Sequence, residues 1–216
     1  MAPDQYTIPD EDRTEAMPVL AQPPRWSGEL EWVNEYYRHV PPGDLLAHTE
    51  EELRLRAEHH REVGRVRAPG DSAVGVRRED SASVVFVVTE DVPYLVSTVT
   101  AEIAARWGGA RLVIHPVLVA DRDREDHELR DLQPLADVAT SSSGDTTALP
   151  VLPGAGDGVR RSVESWISVE LLDPLSEETA GQLVERLTGL LADVHRIGRD
   201  QSKLRHRVKV LALDLE

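Results

Sequence analysis

Hydrophobic and polar positions alternate along the chain in two periods, one helical and one extended, and the switches between them mark its elements. Residues 1–24 follow neither period. They are polar, acidic and broken by Pro3, Pro9, Pro18, Pro23 and Pro24, with too little apolar surface to offset ordering entropy, so a disordered tail is expected. From Trp26 onward, Trp26, Leu30, Val33, Tyr36 and Tyr37 recur at helical spacing and predict an amphipathic helix ended by Pro41-Pro42. A second helix is predicted from Thr49. Thr49-Glu50-Glu51-Glu52 has the form of a capping box, and Leu53, Leu55 and Val63 follow among many charges. Residues 25–70 therefore read as an N-terminal helical segment.

The period then changes. Ala73–Arg78 and Ser83–Glu90 predict two short strands, the second a continuous β-branched run of the buried type. Asp91 as N-cap and Pro93 in a first turn open a predicted helix whose face is Leu95, Val96, Val99 and Ile103, with Gly108-Gly109 as its stop. Residues 111–119 predict a strand that Pro116 confines to an edge or a bulge, because proline cannot donate to a ladder. Residues 121–161 read as a long mobile loop. Val163, Ser165, Ile167, Val169 and Leu171 then alternate with Glu164, Trp166, Ser168 and Glu170, which predicts a strand with one dry and one wet face. Asp173-Pro174 or Ser176 starts a strong helix striped by Leu183, Leu187, Leu190, Leu191 and Val194, which Gly198 ends or weakens. The tail, 199–216, admits a helix through Leu204, Val208, Leu211 and Leu215 or a strand through Val208 and Val210, with helix favoured.

The predicted class is α+β: N-terminal helices, then a ββαββα domain over residues 71–198. Two amphipathic helices would cover one face of a four-stranded antiparallel sheet, close to the split β-α-β of ferredoxin-like folds. The segment at 73–78 is expected to fill an edge position.

Composition narrows the function. Of 216 residues, 40% are hydrophobic and only 4% aromatic, with 14 Gly and 14 Pro, which suits a compact domain interrupted by irregular stretches. A net charge of −15 disfavours phosphate backbones and anionic lipid, since both select a basic face, so neither nucleic acid nor membrane is an expected partner. The absence of cysteine excludes disulfides and thiolate metal sites. With no secretory leader pattern and no long apolar run, a cytoplasmic protein is expected.

Candidate chemistry is sparse. His59 and His60 are adjacent on a helix, point in different directions and read as solvated; a metal pair would want i,i+4 spacing. His115 reads as a hydrogen-bonded structural histidine, with a ligand contact left open. Glu164 and Glu170 lie about 20 Å apart at strand rise, too far for an acid/base couple. Gly154–Gly158 is glycine-rich but precedes a strand, unlike a phosphate cradle. No catalytic, cofactor-binding or metal residue is assigned. Trp166 has two readings: an exposed aromatic marking an interface, or one buried by the N-terminal helices folding over its face.

Four segments in series carry a family resemblance. Thr89–Ile103 (TEDVPYLVSTVTAEI) has the strand–D-x-P-x-L–helix form of ACT domains, which bind amino acids at such loops. With Glu35–Leu45 (EYYRHVPPGDL), Leu112–Asp123 (LVIHPVLVADRD) and Glu164–Leu172 (ESWISVELL), it resembles the N-terminal region of the large-subunit class of bacterial NAD-specific glutamate dehydrogenases, over about residues 26–197. The resemblance implies an ACT-like fold and a parent that deaminates L-glutamate with NAD, its nicotinamide site far downstream. This chain alone is then expected to be inactive and without its own cofactor. It also implies contact with other domains and subunits of the parent, a homo-oligomer, and an amino-acid site at Asp91, Val92, Pro93, Tyr94 and Leu95. ACT domains commonly have Gly after that Pro. The bulky Tyr94 would occupy the site itself, leaving a scaffold.

Overall fold

The computed structural model describes residues 24–79, 81–135 and 156–213, the side chains of the last stretch through Gly198. The tail at 1–23 and the centre of the expected loop, 136–155, lie outside the described residues.

The N-terminal part is more broken than its periodicity predicts. A 3₁₀ turn at Gly28–Leu30 leads into α1 (Glu31–Tyr36), and a short α2 (Pro42–Leu45) begins on Pro42, at the pair of prolines expected to end α1. α3 (Glu50–Val63) starts as its sequence predicts. Thr49 Oγ1 accepts the Glu52 N–H, and the Glu52 carboxylate accepts the Thr49 N–H at 2.7 Å.

Among the described residues a six-stranded antiparallel sheet follows, not the expected four: β1 (Ala73–Arg78), β2 (Ser83–Glu90), β3 (Ala110–Ile114), β4 (Val117–Asp123), β5 (Leu129–Pro134) and β6 (Val159–Leu171). Its order is β1-β2-β6-β4-β5, and β3 lies beside the far half of β6 in line with β4. β1 does take an edge. The expected single strand at 111–119 is two, broken at His115-Pro116, where the Pro116 carbonyl accepts the Trp166 N–H at 3.0 Å. Much of the stretch expected as a loop is ordered. β4 runs through Asp123, β5 pairs with it as a hairpin, and β6 begins at Val159. Charged ladders carry these strands: Arg161 clasps Asp121 across β4 and β6 at 2.6 Å.

α4 (Leu95–Trp107) and α5 (Glu177–Leu213) cover one sheet face. Val85, Val87, Ile167, Val169 and Leu171 meet Leu95, Val99 and Ile103 of α4 and Leu183, Leu187 and Leu191 of α5 in one buried cluster. α5 begins on a Ser176 cap and continues through Gly198, which was expected to end or weaken it.

The opposite face carries the larger correction. Glu164, Trp166, Ser168 and Glu170 were expected on a wet face, yet all are buried. α3 lies across it, ending on Gly64, where a Cβ would come within 2.9 Å of the Trp166 ring. The buried His60 also overturns the solvated reading. Its Nε2 faces the Val87 carbonyl at 3.1 Å and its Nδ1 the Tyr36 hydroxyl at 2.8 Å. A carbonyl only accepts, so Nε2 carries the proton and Nδ1 accepts from Tyr36. Burial pushes the His60 pKa down to about 3 and the Tyr36 hydroxyl up.

The two buried carboxylates survive here because arginines meet them. Glu164 accepts from Arg122 Nε (2.7 Å) and Nη2 (2.9 Å), from Arg67 Nη2 and from the Ser162 hydroxyl. Burial raises its pKa, but the bond from Arg122 and the charge of Arg67 outweigh that and hold it below the usual carboxylate range. Glu170 accepts from Arg56 Nη1 at 2.6 Å, and Arg56 also reaches Glu79, which ties α3 to the end of β1.

Candidate ligand groove at the start of the fourth helix

The segment joining β2 to α4 is held at several points. The Asp91 N–H donates to the Val163 carbonyl, and the Ser165 hydroxyl donates to Asp91 Oδ1 at 2.5 Å. His115, at the β3/β4 break, lies 3.0 Å from the same hydroxyl through Nε2. With the hydroxyl proton directed at the carboxylate, Nε2 is the donor to Ser165 Oγ, so His115, Ser165 and Asp91 form one directed chain. Burial lowers the His115 pKa while Asp91 opposes the shift. The result is a structural histidine, as its sequence context suggests, at the wall of a groove.

That groove, of about 410 Å³, is lined by Asp91, Val92, Tyr94, Leu95, Val96 and Ser97 with His115. Asp91 does not cap α4, as its sequence position predicts; its carboxylate is engaged by Ser165. The N-cap is Tyr94, in the left-handed region at φ 71°, with no side-chain cap, and Leu95 is buried beneath it. Tyr94 is 75% exposed, so it stands beside the groove and does not plug it, contrary to the expectation from its bulk. Four of the five predicted loop residues, Asp91, Val92, Tyr94 and Leu95, line the groove, while Pro93 lies in the turn between them and is exposed.

A left-handed tyrosine is strained by about 1–2 kcal/mol, and its exposed ring packs little. Tyr94→Gly is expected to stabilise the domain by up to about 1 kcal/mol once the added freedom of the unfolded chain is subtracted. The check is a thermal melt; a lower Tm in the variant would contradict it.

The other predicted position, Trp166, takes its buried reading. It is 0% exposed, with the His60 ring 5.0 Å from its own, so it joins the N-terminal helices to the sheet and offers no free surface. Periodicity could not find the His115–Ser165–Asp91 chain, because its members come from three strands or their ends. The one signal was Pro116, which placed a break next to His115.

Among the described residues, no group of three or more His, Asp or Glu side chains is placed to hold a metal, and no helix is long and apolar enough to cross a membrane. No curated protein and no solved structure gives a match. A family model does: the one described as glutamate dehydrogenase, ACT1 domain, matches residues 32–187, spanning α1 to α3, all six strands, α4 and the first turns of α5. α4, the first turns of α5 and the groove between β2 and α4 fall inside that match, so the chain belongs to the glutamate dehydrogenase ACT1 domain family.

Proposed function

We propose that this chain is the non-catalytic N-terminal regulatory and assembly region of an NAD-dependent glutamate dehydrogenase of the bacterial large-subunit class, working in the cytoplasm. Membership of the ACT1 family carries that reading. The parent would convert L-glutamate, NAD and water into 2-oxoglutarate, ammonia and NADH with residues outside this region, which would associate with other domains and with further subunits as a homo-oligomer. The test is made in the parent enzyme. Substitutions in the groove should leave glutamate turnover without effectors intact and alter the response to added amino acids or the subunit number. Loss of basal turnover alone would assign the groove to catalysis and sink the proposal.

A second reading, amino-acid sensing, is favoured by the open groove itself. An amino acid carries a carboxylate suited to the N–H groups at the start of α4 and an ammonium suited to the exposed Asp91. Calorimetric titration with each amino acid, on the natural chain and on Asp91→Asn, checks it. Saturable binding that weakens in the variant is expected, and no heat from any amino acid would leave the assembly reading alone.

A further inference from the structure

Among the described residues β1, β3 and β5 each have a strand on one side only. An open edge of N–H and C=O groups invites another chain, and folds usually block it with a bulge, a proline or a charge. Two of these edges are blocked. The bond from the Trp166 N–H to the Pro116 carbonyl sets the phase of β4: its even-numbered residues turn to β6 and its odd-numbered ones to β5. Leu132 and Pro134 of β5 therefore face outward, where the Asp131 carboxylate holds the Leu132 N–H at 2.9 Å and Pro134 has no N–H. β3 is five residues long, shifts register between Ala110 and Leu112, and stops short of Pro116.

β1 has no such device. The bond from the Asp91 N–H to the Val163 carbonyl sets the phase of β2, whose even-numbered residues turn to β1. Ala73, Gly75 and Arg77 answer them, so Val74, Val76 and Arg78 face outward. The register is unbroken from Ala73 to Arg78, and the Ser72 hydroxyl still meets Thr89 one position earlier. No hydrogen bond among the described residues reaches the outward main-chain groups of Val74 and Val76.

We infer that β1 pairs antiparallel with β1 of a second copy of this chain, about a two-fold axis at Val74, so that the two sheets run on as one. Charge selects that register. With the axis at Val74, Ser72 exchanges bonds with Val76 of the other copy. Asp71, which has no ion pair among the described residues, lies opposite Arg77 and beside the exposed Arg78. An axis at Gly75 would set Asp71 against Glu79, and one at Arg77 or Arg78 would set arginine against arginine; like charges directly opposite are unfavourable. An axis at Val76 sets Asp71 against Ser81 and gains no ion pair.

The layer above leaves room. α5 packs over β1, and on the flank nearer α4 its Arg186 binds Glu102 at 2.6 Å. The flank turned away from Arg186 carries Gly181, Thr188 and Ala192, all small and exposed, so two α5 helices can approach closely across the axis. This seam supplies the contact of the homo-oligomer proposed above and rests on that reading for its place in a parent enzyme. The groove can answer to amino acids whether or not the seam forms, so the two tests fail separately.

Light scattering across a concentration series tests it: the 23.9 kDa chain should double in mass as concentration rises. Asp71→Arg, an exposed change, should raise the dissociation constant about tenfold or more and leave the melt of the dilute chain in place. The chain has no cysteine, so a single introduced thiol reports register. Val74→Cys, on the axis, should cross-link under mild oxidation. Val76→Cys should not, because its two thiols would lie about 14 Å apart along the strands. A monomer at every concentration, a dimer indifferent to Asp71→Arg, or a Val76→Cys chain that cross-links as readily as Val74→Cys would each overturn the inference.

Discussion

Replacing Glu164 with Gln will destabilise the domain by about 3–5 kcal/mol, the usual cost of removing one partner from a buried ion pair. The carboxylate is 0% exposed and the side chains of Arg67 and Arg122 are 1% and 0% exposed. Glutamine matches the shape but removes the charge that both guanidinium groups meet. Two like charges would then share one dry site. For a chain of this size, roughly 2–4 °C of Tm is lost per kcal/mol, so the melt should fall by roughly ten degrees. Arg67→Met should cost less, because the two-pronged pair between Arg122 and Glu164 persists. Urea unfolding of both variants measures the difference, and a loss below about 1 kcal/mol for Glu164→Gln would show that water reaches the site.

The second large effect is acid sensitivity through His60. Its pKa is near 3 in the folded domain and near 6.5 when exposed. Between those values the unfolded chain binds a proton that the folded chain refuses. Stability is therefore full above about pH 6.5 and falls as pH drops toward the folded value. The loss is about 2 kcal/mol by pH 5 and more than twice that near pH 3, at 1.36 kcal/mol per unit. His48, His59 and His115 shift in the same direction, chiefly through burial, so the slope of the natural protein alone is ambiguous. Comparison with His60→Gln isolates one ring. The variant should be less stable at pH 7, and its unfolding curve should converge on that of the natural chain as pH falls to 5. Parallel curves would show that His60 is not neutral in the fold.

The sequence made much of this domain legible, and its failures share a cause. Elements with local signals came out well: the Thr49 capping box, the SVVFVV strand, and the Leu183–Leu191 stripe all depend on neighbours within a few residues. The face of β6 misled, because alternation distinguishes polar from apolar positions but not water from arginine. Glu164 and Glu170 look solvated until Arg56, Arg67 and Arg122 arrive from α3, the segment after it and β4. His60 was misread for the same reason; the Tyr36 hydroxyl and the Val87 carbonyl are 24 and 27 residues away. In the groove, the loop at Asp91–Leu95 was visible as a motif. The polar chain behind it required knowing that β6 lies between β2 and β4.

The position of Gly198 gives α5 a mechanical property. A Cβ on Gly198 would lie 3.8 Å from Val92 Cγ1, so the helix passes the groove wall at that point. Beyond that point about fifteen residues remain, an arm of roughly 22 Å at 1.5 Å per residue. A tilt of about 5° about a pivot at Val92 would swing the tip by roughly 2 Å over that arm. α5 therefore works as a lever: a tilt that leaves the contact at Val92 in place becomes a displacement of roughly 2 Å where the arm ends.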